Sequence, residues 1–214
     1  PLFLEKIEKV RMFRLSSPKQ RTRDWAKFPM LFSEDRQPES TFLMFPKVSS
    51  EKRSYIPFAY LEPINIVNNT ASMMPNAGFY HFGILESQMH MAWMRYVCGR
   101  MKSDYIYSNK IVYNNFPWPE NPGDKQKEAI EKAAQKVLDV RAEFPGSSLA
   151  DLYNPLTMPP ALVKAHNELD KAVDMAYRPQ PFASETKRIE FLFELYDKYT
   201  AGLFPAGKKR LVKK

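Results

Sequence analysis

The chain reads as an α+β protein. A strand-rich front with one buried helix spans residues 1–119, a small all-helical domain spans residues 120–207, and a basic tail follows at residues 208–214. Three observations predict this. Upstream of Pro119, short runs rich in Phe, Tyr, Ile and Val are punctuated by Pro, Asn and Ser, the chemistry of strands and turns. Within that front, residues 84–98 lack both Gly and Pro and are apolar around the whole helical girth, as a buried helix is. Downstream, apolar residues recur at spacings of three and four.

In chain order, extended runs are expected at Thr41–Phe45, Ser54–Leu61, Ile64–Val67 and Ile106–Tyr113, with Pro46, Pro57 and Pro63 demoting some of them to edges or bulges. The buried helix is expected between Gly83 and Gly99, with Leu85, Met89, Ala92, Trp93, Tyr96 and Val97 on its main stripe. Tyr80, Trp93, Tyr96 and Trp118 are expected in the core. Asp124 follows a Pro-Gly turn and can open a helix to about Glu143, striped by Ile130, Ala134, Val137 and Leu138. Pro159-Pro160 starts a second, carrying Leu162, His166, Leu169, Val173 and Ala176 until Arg178-Pro179 stops it. Ser184 can cap a third, with Ile189, Leu192, Phe193, Tyr196, Tyr199 and Leu203 on one side. Three amphipathic helices of this kind can pack as a bundle.

With 214 residues, 44% of them hydrophobic and 14% aromatic, the chain can bury a real core and is not a disordered segment. Mean hydropathy is −0.48, and no apolar run approaches the ~18 residues of a spanning helix, so a membrane partner is not expected. A lone cysteine, Cys98, excludes an intrachain disulfide and suits a reducing cytoplasm. The opening at Pro1, with no initiator Met and no charged and apolar leader, reads as a segment of a longer chain.

The net charge of +8 is unevenly spread. Residues 6–27 hold eight bases against two acids, the tail adds Lys208, Lys209, Arg210, Lys213 and Lys214, and residues 120–207 carry eleven bases and fourteen acids. A basic front on a mildly acidic back half is the footprint of a polyanion binder; a merely solvated charged face gives the same composition. The tail is most simply a frayed terminus.

Catalytic patterns are missing. The three histidines (81, 90 and 166) and Cys98 show no metal-ligand spacing, and there is no glycine-rich phosphate loop and no nucleophile elbow. His166 lies on a helix stripe and is expected to be a satisfied, semi-buried histidine. Glu185-x-Lys187 with Asp174 superficially echoes an acidic nuclease site, but first-turn acids at a helix start are expected on dipole grounds. Asn114-Asn115-Phe116-Pro117-Trp118 echoes the loop with which amino-methyltransferases hold a flipped base, yet its prolines are in the wrong order, and a turn accounts for it better.

Several separate strings resemble the back end of the MmeI-like type IIG/IIL DNA modification enzymes. They are Ser49-Ser50-Glu51-Lys52-Arg53-Ser54-Tyr55-Ile56-Pro57, Phe82-Gly83-Ile84-Leu85-Glu86-Ser87, Met89-His90-Met91-Ala92-Trp93-Met94-Arg95 and Gly99-Arg100-Met101-Lys102-Ser103-Asp104-Tyr105. Tyr107 through Pro119, Leu149 through Leu162 and Arg188 through Tyr196 agree, so the resemblance covers nearly the whole chain. It implies a target recognition domain followed by a C-terminal helical domain. The implied parent transfers a methyl group from S-adenosylmethionine to adenine N6 at a short asymmetric site, and some parents also cut DNA. The cofactor loop and catalytic motif of the family belong to an upstream methyltransferase domain, so this chain alone should hold no cofactor and catalyse nothing. Its implied partners are double-stranded DNA and that upstream domain.

If residues 51–55 form a strand, Glu51, Arg53 and Tyr55 project from one face. Arg is the best bidentate donor to guanine O6 and N7, and Glu accepts from cytosine N4, so Glu51 and Arg53 could address the two partners of one C·G pair. The resemblance places base contacts in this neighbourhood; the bland alternative is an exposed ion pair. Backbone contacts are expected from Arg11, Arg14, Lys19, Arg21 and Arg23, from Ser49 and Ser50 as neutral donors, and from Arg95, Arg100 and Lys102 around the end of the buried helix. The competing reading is an interaction or scaffold piece whose basic charge is incidental.

Overall fold

Sequence spacing that looked like strands in the front resolves into shorter strands, turns and more helix. The computed structural model describes residues 2–34 and 36–202, so the basic tail and Leu203 lie outside the described residues. The chain divides into two compact units, one ending at Glu39 and one beginning at Ser40.

The first unit is helical, against the strand-rich expectation for the front. Helix α1 (Leu2–Leu15) and the short α2 (Gln20–Asp24) run into a 3-10 turn at Trp25–Lys27. No α1 residue is buried, because its apolar residues do not share one stripe. What ties the unit together is Arg14, whose guanidinium donates to the carbonyls of Trp25 (3.0 Å), Phe28 (2.6 Å) and Leu31 (2.7 Å). Trp25 packs edge-on to Phe28, and Ala26 is buried.

The second unit contains two three-stranded antiparallel sheets. One is ordered β3-β1-β4, from β1 (Phe42–Pro46), β3 (Ala59–Leu61) and β4 (Ala71–Pro75). The other is ordered β2-β6-β5, from β2 (Val48–Ser49), β5 (Gly99–Met101) and β6 (Asp104–Ile106). In the first, Phe42 faces Leu61 and Pro75, and in the second, Ser49 faces Tyr105. Only the end of the expected 54–61 run is a strand. Ile64–Val67 is an exposed loop, and residues 109–113 form a π-helical turn.

The single helix expected at 84–98 is two. Helix α3 (Phe79–Leu85) stops at Glu86, and α4 (Gln88–Val97) restarts after Ser87, whose Oγ accepts from the His90 N–H. The break turns the Glu86 carboxylate inward, where it accepts from the Phe58 N–H at 2.6 Å and from Arg141 at 2.6 Å. Continuing the helix would have sacrificed both bonds. Met89, Met91, Trp93 and Met94 are buried as expected, whereas Tyr96 is exposed.

Helices α5 (Asp124–Ala142), α7 (Pro160–Tyr177) and α8 (Glu185–Thr200) follow the predicted bounds closely, with a short α6 (Leu149–Leu152) between the first two. They share one core with the sheets. A Cβ on Gly83 of α3 would lie 2.6 Å from Ile130 Cγ2 and 3.2 Å from Leu169 Cδ1, so α3 approaches α5 and α7 more closely than any side chain permits. On α4, Trp93 packs against Phe193 and Tyr196 of α8 and donates to the Val112 carbonyl.

Candidate nucleic-acid interface

Glu51 and Arg53, the expected base-reading residues, sit on a turn, not on a strand. After β2 the chain reverses through residues 50–53. The Ser50 carbonyl accepts the Arg53 N–H at 3.2 Å, and Ser50 Oγ accepts the Lys52 N–H at 3.4 Å. Glu51 and Lys52 are exposed at the tip and Arg53 is half-buried. Tyr55 does not share their face: it is buried and donates to Asp170 Oδ2 at 2.7 Å. The expected alternation fails because a reverse turn, unlike a strand, gives neighbouring side chains no two-residue period.

A second element meets this turn. Strands β5 and β6 join through the two residues Lys102 and Ser103, and Lys102 has φ 56°, the left-handed backbone that two-residue hairpins need at their first loop position. Arg100 on β5 lies 3.8 Å from the Glu51 carboxylate, stacks 4.2 Å from the Tyr105 ring centroid and donates to the Ser103 carbonyl at 2.9 Å. The Tyr105 hydroxyl donates to the Glu51 carbonyl at 3.3 Å. Glu51, Arg53, Arg100 and Lys102 are therefore carried by one turn and one hairpin on the same small sheet, with Lys52 added at the turn tip. Reading the stretch as a strand hid Lys52.

Other expected contacts are otherwise engaged. Ser49 is only 4% exposed, its hydroxyl enclosed beneath the turn by the pairing of β2 with β6. Arg95 is held by an ion pair with Glu185 and by Gln88 and the Ser54 carbonyl, with 19% of its side chain exposed. In the first unit, Arg14 is committed to three backbone carbonyls and Arg23 to the Ser17 carbonyl and Gln20. Arg11 is forked onto Glu8, whose hydrogen bond raises the guanidinium's pKa, and Arg21 pairs with Glu34 at 3.4 Å. Lys19 is exposed. The basic run is thus partly spent on building its own unit.

The two near misses resolve structurally. Glu185 pairs with Arg95, and Asp174 makes a two-point pair with Arg188 at 3.0 and 2.6 Å. Among the described residues no three His, Cys, Asp or Glu side chains gather to hold a metal ion. Phe116 is buried. Trp118 packs on Tyr80, His81 and Tyr113, with the Pro117 and Trp118 carbonyls accepting from the hydroxyls of Tyr177 and Tyr199. His166 is fully buried, its Nε2 bonded to the Tyr153 hydroxyl at 2.7 Å, and burial lowers its pKa to about 3. No helix among the described residues is long and apolar enough to cross a membrane.

An exposed turn carrying an acid and two bases thus lies beside a basic hairpin. Residues 1–120 match the family described as the MmeI target recognition domain, and residues 122–204 match the MmeI C-terminal domain. The chain belongs to the MmeI family. It is 40% identical over 200 residues to DNA methyltransferase A of Bacillus subtilis (strain 168), a match covering 94% of this chain and 22% of the relative. It is also similar to the structure of the type IIL restriction-modification enzyme MmeI in complex with DNA, with 46% identity and a TM-score of 0.84. That similarity covers 94% of this chain and 27% of the solved one, so the chain spans about a quarter of the length of these relatives.

Proposed function

We propose that the chain reads the target site for a DNA adenine-N6 methyltransferase whose catalytic domain lies in the remainder of a longer parent. The observation that carries this is the pairing of the Glu51–Arg53 turn with the Arg100–Lys102 hairpin on one exposed edge, in a chain of the MmeI family. Arg53 presents a two-point donor for guanine O6 and N7, and Glu51 an acceptor for cytosine N4, each good contact worth ~1–3 kcal/mol of discrimination. Arg100 steadies the Glu51 carboxylate in the free protein and becomes available to phosphate when Glu51 engages a base. Lys102 and Lys52 supply positioning charge together with Ser50, and Lys19, Arg21 and Arg11 are the phosphate contacts of the first unit taken by itself. Arg14 and Arg23 brace the first unit, and Arg95 braces the end of the turn through the Ser54 carbonyl.

The methyl donor, S-adenosylmethionine, belongs to the catalytic remainder, and transfer takes place there, in the cytoplasm, where Cys98 stays reduced. The first unit supports a parent chain as second partner. Phe3, Phe13 and Phe32 are 68%, 75% and 84% exposed, apolar area that packing on another part of a longer chain would cover.

The test is to replace Glu51 with Lys and Arg53 with Asp together in the full-length parent and to sequence its methylated sites. The expected outcome is continued methylation with one base pair of the site changed. An unaltered site would overturn the assignment of these residues.

A further inference from the structure

Beside the recognition turn lies an open cleft of about 400 Å³, the size that accommodates a small ligand rather than a duplex. One wall is the turn itself, with Ser50, Lys52 and Arg53. The other wall belongs to the helical half, the loop after α6, with Asn154, Pro155 and Leu156. This loop has a defined conformation. The Asn154 carbonyl accepts from the N–H groups of Thr157 (3.0 Å) and Met158 (2.9 Å), Asn154 Oδ1 accepts from the Leu156 N–H at 3.0 Å, and Thr157 Oγ1 donates to the Asp151 carbonyl at 3.2 Å. Tyr153, immediately before it, is anchored in the core by Arg141 and His166. The result is an aliphatic side chain, Leu156, 91% exposed on a braced loop opposite a cationic turn. A lone exposed leucine is ordinary; one whose backbone is held by Asn154 and which lines the same cleft as Lys52 and Arg53, next to an amide whose Nδ2 end is a donor, matches the alternating chemistry of a nucleic-acid strand.

We infer that the sugar–phosphate edge of one DNA strand runs through this cleft, with Lys52, Ser50 and the Asn154 amide on phosphate and Leu156 against the deoxyribose face. The inference rests on the DNA-reading assignment above and extends it: the C-terminal domain touches DNA directly and forms the second wall of the recognition groove. Phosphate contacts made from both walls fix the register in which Arg53 meets its base.

The experiment places the photoreactive residue p-benzoylphenylalanine at position 52 or at position 156 of the full-length parent and irradiates each with a fluorescent random-sequence duplex pool. Crosslinks from both positions are expected. A crosslink from 52 without one from 156 would overturn the inference while leaving DNA reading by the turn intact. Crosslinks from neither would overturn both. As a second readout, Leu156→Asp should weaken duplex binding by about tenfold or more, since an added carboxylate faces phosphate, with an unchanged thermal midpoint. Leu156→Met should bind like the parent. Equal affinity of Leu156→Asp and the parent would also overturn the inference.

Discussion

Lys102 shows what a single residue contributes and what it costs. Its backbone is left-handed, φ 56°, a conformation that costs a side-chain-bearing residue about 1–2 kcal/mol relative to glycine. Strain of this sort persists where the residue serves something other than stability. Lys102→Gly should therefore raise the thermal midpoint while weakening duplex binding, and the slope of log affinity against log salt should become shallower by about one, the share of one phosphate contact. A variant that gained stability and kept the parental salt slope would remove Lys102 from the interface. In the core, complete burial pushes the Glu86 carboxyl up, opposed by Arg141 and the Phe58 N–H. Arg141 in turn donates to Glu86, the Phe58 carbonyl and the Tyr153 hydroxyl. Arg141→Ala strands that carboxylate and should destabilise the chain by about 3–5 kcal/mol in urea unfolding. Pairing Glu86→Gln with Arg141→Met should recover much of the loss, because two neutral groups remove the uncompensated charge.

At the scale of elements, the approach of α3 to α5 and α7 at Gly83 leaves no room for a side chain. A methyl there would press 2.6 Å from Ile130 Cγ2, an atom fixed by a branched side chain inside α5. Gly83→Ala should lower stability by about 1–3 kcal/mol, the ordinary range for overpacking, despite alanine's better helix propensity. A higher thermal midpoint would contradict this packing. The helices of the back half were legible in the sequence because each carries a stripe, a cap and a stop: Ser184 before α8, Pro160 at the start of α7, Arg178-Pro179 after it. The strands were less so. Residues 54–58 have strand-like composition, but Tyr55, Ile56 and Phe58 are buried by the helical half and by Phe45, contacts that no local pattern reports. The break between α3 and α4 was hidden for a related reason, since Glu86 leaves the helix to meet a partner 55 residues away. Of the candidate site, the residue types at 51, 53, 100 and 102 could be chosen from chemistry and resemblance. Which arginines are consumed by the fold, and that Leu156 and Lys52 line one cleft, needed the tertiary arrangement.

For the whole molecule, acid response follows from buried groups of two kinds, histidines and carboxyls. Burial lowers His90 to about 4 and His166 to about 3, while in the unfolded chain both protonate near 6.5. Below that value the unfolded chain binds more protons than the fold, so acid destabilises. Asp170 runs the other way. Burial raises it to about 6 from 3.8, so the fold holds the extra proton and acidification through that window returns some stability. Glu86, raised by its complete burial, acts in the same sense as Asp170. The histidines are therefore read by comparison: between about pH 6.5 and pH 4 the urea midpoint of His166→Gln should lose less, or gain more, than that of the parent chain, and identical pH profiles would contradict a buried, neutral His166. The core that holds these groups is common to the sheets and to α5, α7 and α8, so the family boundary near residue 121 is no seam. The wall α5 and α7 build against Gly83 therefore ties the two halves together: transplanted alone, the front half would arrive without the helices that complete its interior.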